Sequence, residues 1–322
     1  DRWRSHCFTW NKQTGECDVR ILVVGPNGLL GTAVVRTILA ESDTTVLAAG
    51  RTFLADDAGY EQWDATKASA WKQLAEEKRW QADVVVNCAA LTHVDRCETE
   101  RRAAWVTNVE LTESILNYAR KADAHVIQIS TDNIFDGIDG PYGIENRPEP
   151  KNYYGRTKLA AENACNASPV PTAILRTMWL YATTPDQRTT YSTWVRDTLA
   201  AGGTVKIAED ERGNPTTVED LAYDIMNIAE KRRTGTLHGV GNERMSRMEW
   251  AEIICEVWEL DKSRMTGITS ADLGRPAARP LDSGLINAES GRADRAVYST
   301  TIAAEKQAQT LLERSSQTER AK

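Results

Sequence analysis

Tyr154 and Lys158 stand four residues apart within Tyr153–Asn163, a stretch whose pattern predicts a helix. That spacing puts both side chains on one helix face. A free phenol titrates at about pH 10, too high to exchange a proton readily near neutrality. A nearby ammonium and an oxidised nicotinamide both favour the phenolate and lower that barrier. The pair therefore suits a carbonyl reduction in which Tyr154 protonates the developing alkoxide while Lys158 holds ribose hydroxyls and tunes the phenol. Thr131 ends the apolar run Val126–Ser130, where its hydroxyl can bind the same oxygen and stabilise the growing charge. Tyr-x-x-x-Lys also arises in ordinary helices. Tyr153 is an adjacent competitor, but it lies five residues from Lys158 and is expected to face elsewhere.

A second element makes the pairing informative. Gly25-Pro26-Asn27-Gly28-Leu29-Leu30-Gly31 follows directly on the apolar run Ile21–Val24. A helix starting straight after a strand points free N–H groups and its positive dipole end at whatever lies above the turn. Glycines there let a pyrophosphate approach the backbone. Gly25, Asn27, Gly28, Leu29, Leu30 and Gly31 are thus candidate dinucleotide contacts. At the end of the next strand an acidic residue would bind a free ribose 2′-hydroxyl, but the chain has Arg51. A guanidinium matches a 2′-phosphate, so NADPH is favoured, with NADH the alternative. Asp64, beside Ala65, is a candidate for the adenine amino group. Cys88, Ala89 and Ala90 follow Asn87 at a strand end, where small residues let a cofactor lie flat; simple packing explains them equally well. Thr92, Asp132 and Asn133 are candidate substrate contacts.

Positioning these residues requires a particular scaffold. Short apolar runs at Ile21–Val24, Thr45–Ala49, Val84–Asn87, Val126–Ser130 and Ala173–Leu175 alternate with amphipathic stretches such as Ala33–Leu39, Ala68–Glu77 and Ala104–Ala119. Nearly all-apolar strands separated by helices predict an α/β fold, a doubly wound parallel sheet of Rossmann type covered on both faces. Residues 1–18 read as an N-terminal arm and 19–178 as the cofactor-binding domain, joined by a strand and helix near 218–241. Residues 179–217 and 242–312 read as a smaller C-terminal substrate lobe, and 313–322 as a polar tail. Helices are expected at Val218–Lys231 and Arg247–Glu259.

The chain has 322 residues, 41% hydrophobic and 26% charged, enough for such a domain plus a lobe. A net charge of -7 with interspersed signs disfavours nucleic acid as a partner. No apolar stretch approaches the roughly 20 residues of a spanning helix. The start, Asp1–His6, has no apolar core behind it, so no secretory leader is expected. Six cysteines without paired spacing predict reduced thiols and a cytoplasmic location. His6, Cys7 and Cys17 fit no zinc spacing, and no metal site is expected from the residues.

These residues resemble the extended short-chain dehydrogenase/reductase family. Ser130-Thr131-Asp132-Asn133-Ile134-Phe135-Asp136-Gly137 resembles the Ser-Thr-Asp-Tyr-Val-Phe-Asp-Gly stretch of dTDP-4-dehydrorhamnose reductases, as do Tyr154–Glu162, Leu175–Tyr181, Gly213–Thr216 and Arg279–Ser283. The likeness runs from about residue 19 to residue 290. It implies NADPH-dependent reduction of the 4-keto group of a nucleotide-linked 6-deoxyhexose, giving dTDP-L-rhamnose. Trp179 matches the tryptophan lining the sugar pocket of that family, and Arg279 is a candidate for the substrate diphosphate. Magnesium at a dimer contact, as in some relatives, and a homodimer are left open by the resemblance. Asn133 departs from the family's tyrosine, which unsettles the sugar's identity. It also argues against 4,6-dehydratase chemistry, because an amide cannot exchange protons near neutral pH. The chain is similar as well to the regulatory subunit of methionine adenosyltransferase, notably at Gly241–Met245. A non-catalytic NADP-binding subunit is therefore the competing reading.

Overall fold

The structure is a computed structural model that describes residues 19–41, 45–50, 59–62, 64–76, 81–183 and 188–287. The proposed N-terminal arm, the polar tail and Arg51 lie outside the described residues. In chain order the elements are β1 (Arg20–Val24), α1 (Leu29–Glu41), β2 (Thr45–Gly50), β3 (Gly59–Gln62), α2 (Ala68–Glu76), β4 (Val84–Asn87), α3 (Val94–Thr99) and α4 (Arg101–Trp105). Then come α5 (Leu111–Ala122), β5 (His125–Thr131), α6 (Tyr153–Ala167), β6 (Thr172–Thr177), β7 (Leu180–Tyr181), α7 (Tyr191–Ala200), β8 (Val205–Ala208), β9 (Arg212–Gly213) and β10 (Thr216–Thr217). The chain continues through α8 (Val218–Lys231), β11 (Gly235–His238), β12 (Met245–Ser246), α9 (Arg247–Trp258) and β13 (Met265–Ile268).

Seven strands form one parallel sheet in the order β11-β6-β5-β4-β1-β2-β3. This is the doubly wound sheet that alternating apolar runs demand. Side chains of a strand alternate between faces, and here both faces are buried. Ile21 and Val23 join Val84, Val86, Ile127 and Leu175 under α1 and α8, against Val34, Ile38, Leu221 and Ile225. Leu22 and Val24 join Val85, Val126 and Ile174 under α2 and α5, against Trp71, Leu74, Ile115 and Leu116. Continuous hydrophobic strands are the consequence of two covered faces.

The order of the strands reverses between β1 and β4, so the crevice above their carboxyl ends is where a ligand binds in such sheets. A second core, with Val195, Leu199, Ile207, Trp250, Ile254 and Tyr181, holds α7, α9 and the parallel pair β8–β13 beside that edge. Short pairings outside the main sheet brace this lobe: β7 with β10, β9 with β12, Tyr142 with Leu285 and Arg212 with Asp282.

Candidate active site

A cleft of about 880 Å³ runs along the carboxyl ends of β1, β4, β5 and β6 into the second lobe. At one end lie Gly28, Leu29 and Leu30, at the middle Cys88, Ala89, Ala90, Thr131, Tyr154 and Lys158, and at the far end Trp179, Arg247 and Arg279. Residues as far apart in sequence as Gly28 and Ser283 therefore share one space. Thr92, Asp132 and Asn133 line it as well.

The glycines of the turn do different things. Gly25 has φ +80°, and a Cβ there would lie 2.8 Å from the backbone of Ala89. At Gly31 a Cβ would fall 2.2 Å from the Gly25 carbonyl oxygen, so only glycine lets α1 begin this close to the turn. Gly28 has room, its nearest would-be contact being 3.4 Å, and it faces the cleft. Gly25, Asn27 and Gly31 shape the turn without lining the cleft. Arg188, from the segment before α7, donates to the Asn27 carbonyl and to Thr32 Oγ1, tying the second lobe to the turn.

Asp64 and Ala65 sit apart from the cleft. The Asp64 carboxylate accepts from Thr66 N and Oγ1, at 3.1 and 2.7 Å, and the Ala65 carbonyl accepts from Trp71 Nε1 at 2.7 Å. Among the contacts described, both residues brace the start of α2.

Helix α6 begins at Tyr153 because Asn152 caps it, its side chain accepting from Gly155 N at 2.8 Å. The cap also fixes the neighbouring chain. Asn152 Nδ2 donates to Asn133 Oδ1 and to the Ala278 carbonyl, both at 2.9 Å. Gly155 packs so tightly under Asn133 that a Cβ would meet its carbonyl oxygen at 2.0 Å. Tyr154 and Lys158 project from one face of this anchored helix into the cleft and are 8% and 3% exposed. Tyr153 does not line the cleft; its ring lies under the Arg101 guanidinium.

Burial drives the Tyr154 phenol well above the range of a free tyrosine, with the adjacent Thr131 hydroxyl acting the other way. The sequence-based expectation was acidification by Lys158. In the structure desolvation outweighs every neighbour, so the phenol stays protonated, the form a proton donor needs. Burial lowers Lys158 to about 8, opposed first by the Glu162 carboxylate, and its Nζ donates to the Ile129 carbonyl at 2.6 Å. Thr131 Oγ1 donates to Asp132 Oδ1 at 2.9 Å and accepts from Asn133 N at 3.2 Å. Burial pushes Asp132 up, against hydrogen bonds from Ser283, Thr131 and Asn133. Thr131 can serve a carbonyl oxygen only by turning its hydroxyl away from Asp132.

Behind these groups lies a buried ion pair. Arg176 Nε and Nη2 bind Glu162 at 3.0 and 2.8 Å, and Ser130 Oγ donates to Glu162 Oε1 at 2.5 Å. The carboxyl end of β5 is thus held to α6 and β6 together. A π-helical turn, Val106–Glu110, presents Asn108, which joins Leu91 N and O to Thr157 Oγ1. Such turns recur at functional sites; here it fixes the loop carrying Thr92.

In the second lobe Trp179 holds φ +48°, a conformation rare outside glycine. Its ring stacks on Trp250 at 5.9 Å and 4°, and Gly213 leaves the space it fills. Arg279 is committed elsewhere. Its Nη1 and Nη2 fork onto Asp95 at 3.0 and 2.7 Å. Burial would raise Asp95, yet the Arg279 bonds hold it below the usual carboxylate range.

Sequence reasoning missed Asn108, Asp95, Glu162, Arg176, Arg188 and Arg247. For Arg247 a signal existed, a cation placed at the first position of a helix.

A family profile described as "RmlD substrate binding domain" matches residues 19–309. The dTDP-4-dehydrorhamnose reductase of Mycobacterium tuberculosis is 31% identical over 272 residues, 83% of this chain and 84% of that protein. Methionine adenosyltransferase 2 subunit beta of Mus musculus is also 31% identical, covering 82% of this chain and 80% of its own. Among solved structures, a dTDP-4-dehydrorhamnose reductase from Clostridium acetobutylicum superposes with TM-score 0.79 at 28% identity, covering 91% of this chain and 100% of that one. The chain belongs to the RmlD substrate-binding-domain family.

Proposed function

We propose that the protein is an NADPH-dependent oxidoreductase that reduces the 4-keto group of a nucleotide-linked 6-deoxyhexose. The observation that carries this reading is the single cleft joining the glycine turn, the Thr131–Tyr154–Lys158 group and the Trp179 lobe.

The residues present fit a dinucleotide. The strand-to-helix turn, where Gly25 and Gly31 have no room for a Cβ, leaves Gly28, Leu29 and Leu30 lining the cleft at the α1 N-terminus. Cys88, Ala89 and Ala90 add a small-residue shelf, and Arg51 is assigned to the ribose 2′-phosphate. When bound, the reduced nicotinamide supplies hydride. Tyr154 gives its proton to the carbonyl oxygen that becomes the hydroxyl, and Thr131 holds the same oxygen after its hydroxyl turns from Asp132. Lys158 binds ribose hydroxyls and, as an ammonium, steadies the phenolate left behind. The ion pair behind the site keeps these groups in place. Free thiols at Cys88, Cys97, Cys165 and Cys255 accord with a reducing, cytoplasmic setting.

A second reading is a non-catalytic NADP-binding subunit, favoured by the likeness to methionine adenosyltransferase 2 subunit beta. Ser130-Thr131-Asp132 and Leu175–Trp179, which keep the reductase form, weigh against it. Offering a panel of 4-keto-6-deoxyhexose nucleotides with NADPH and following nicotinamide absorbance separates the two. Turnover on one of them supports the reductase; tight NADPH binding with no turnover on any supports the subunit.

A further inference from the structure

Helix α9 opens with Arg247, directly after its capping residue Ser246, whose side chain and that of Glu249 complete a capping box. This is an unfavourable place for a cation. It faces the positive end of the helix, and its side chain is only 19% exposed. Burial accordingly works against the charge. Neither condition helps the fold.

The surroundings instead fix the guanidinium toward the cleft. Its carbon lies 3.7 Å from the Trp179 ring centre and 4.6 Å from that of Tyr191. The nearest carboxylate oxygen, Glu211 Oε2, is 3.8 Å from Nε, too far for a hydrogen bond. Among the described residues no hydrogen bond leaves this guanidinium, although arginine carries five N–H donors. The neighbouring arginines are engaged. Arg275 binds Glu211 and Ser270, and Arg279 forks onto Asp95. Arg275 therefore already balances Glu211. Lys206 lines the same half of the cleft with no ion pair among the described residues.

We propose that Arg247 is the anion-binding residue of the cleft's substrate half and takes the diphosphate of a nucleoside diphosphate group. A guanidinium held flat by aromatic rings offers two parallel donors to phosphate oxygens at little ordering cost. The role expected of Arg279 thus passes to Arg247. This rests on the nucleotide-sugar reading, but its test needs no turnover.

Calorimetric titration of the full chain with dTDP, UDP, thymidine, uridine and NADPH reads the claim directly. The wild type should bind the diphosphates more tightly than the nucleosides. Arg247→Met keeps apolar contact with Trp179 and should weaken both diphosphates roughly 10- to 100-fold, leaving nucleosides and NADPH unchanged. Arg247→Lys keeps the charge without the fork and should fall between; it carries the test should the methionine variant not fold. Unchanged diphosphate affinity in the folded variant overturns the proposal. So does equal loss for nucleosides and diphosphates, which would make Arg247 a packing residue. Predicted losses in a protein that reduces no sugar nucleotide would overturn the reductase reading and leave Arg247's role standing.

Discussion

Removing one partner of the ion pair behind the site should be among the most damaging changes in the molecule. Arg176 and Glu162 have side chains 6% and 3% exposed, joined by two hydrogen bonds, with Ser130 donating a third to the carboxylate. Arg176→Met leaves Glu162 buried without its hydrogen-bonded partner, which costs about 3–5 kcal/mol. For a domain of this size that lowers Tm by roughly 6–20 °C. Adding Glu162→Leu removes the stranded carboxylate, leaving a lost Ser130 hydrogen bond worth about 1 kcal/mol and some repacking. The double variant should therefore be more stable than Arg176→Met alone. Urea unfolding of wild type, both singles and the double forms a cycle whose interaction energy should reach several kcal/mol. A single costing under about 1 kcal/mol, or a double equal to the sum of the singles, would refute the reasoning.

Three further expectations follow from separate parts of the structure. Gly31→Ala drives a Cβ to 2.2 Å from the Gly25 carbonyl, whereas Gly28→Ala meets nothing nearer than 3.4 Å. NADPH titration should show near loss of binding in the first and a milder defect in the second, and equal effects would contradict the packing account. Arg51→Ala should weaken NADPH more than NADH; equal weakening in competition titrations would end the 2′-phosphate assignment. Burial lowers both His125 and His238 to about 4. Protonation is then penalised in the fold, so stability is full above the unfolded value near 6.5 and is lost as pH falls from there to about 4, by roughly 3 kcal/mol per histidine. Unfolding midpoints flat between pH 7 and 4.5 would contradict it.

The sheet and the grouping of Thr131, Tyr154 and Lys158 could be read in the sequence because each leaves a local signature. Short apolar runs mark strands covered on both faces, as Val84–Val86 does in β4 and Ala173–Leu175 in β6. The Tyr154–Lys158 spacing and the glycine turn are likewise local patterns. What escaped sequence reasoning depends on distant partners. Arg279 was read as a free hand for phosphate, but Asp95, 184 positions away, holds it. Arg176 had no role in the sequence reading, and only the fold brings Glu162 against it. β3, Gly59–Gln62, has no apolar run, since it ends the sheet as an edge strand. The direction of the phenol's shift was misjudged because burial depth is not written in spacing.

Proton donation by Tyr154 is tested most directly by Tyr154→Phe, which removes one oxygen and keeps the ring. NADPH oxidation with a turned-over 4-keto sugar nucleotide should slow roughly 10²- to 10⁴-fold, with NADPH affinity retained. Turnover at the wild-type rate in that variant would contradict the account.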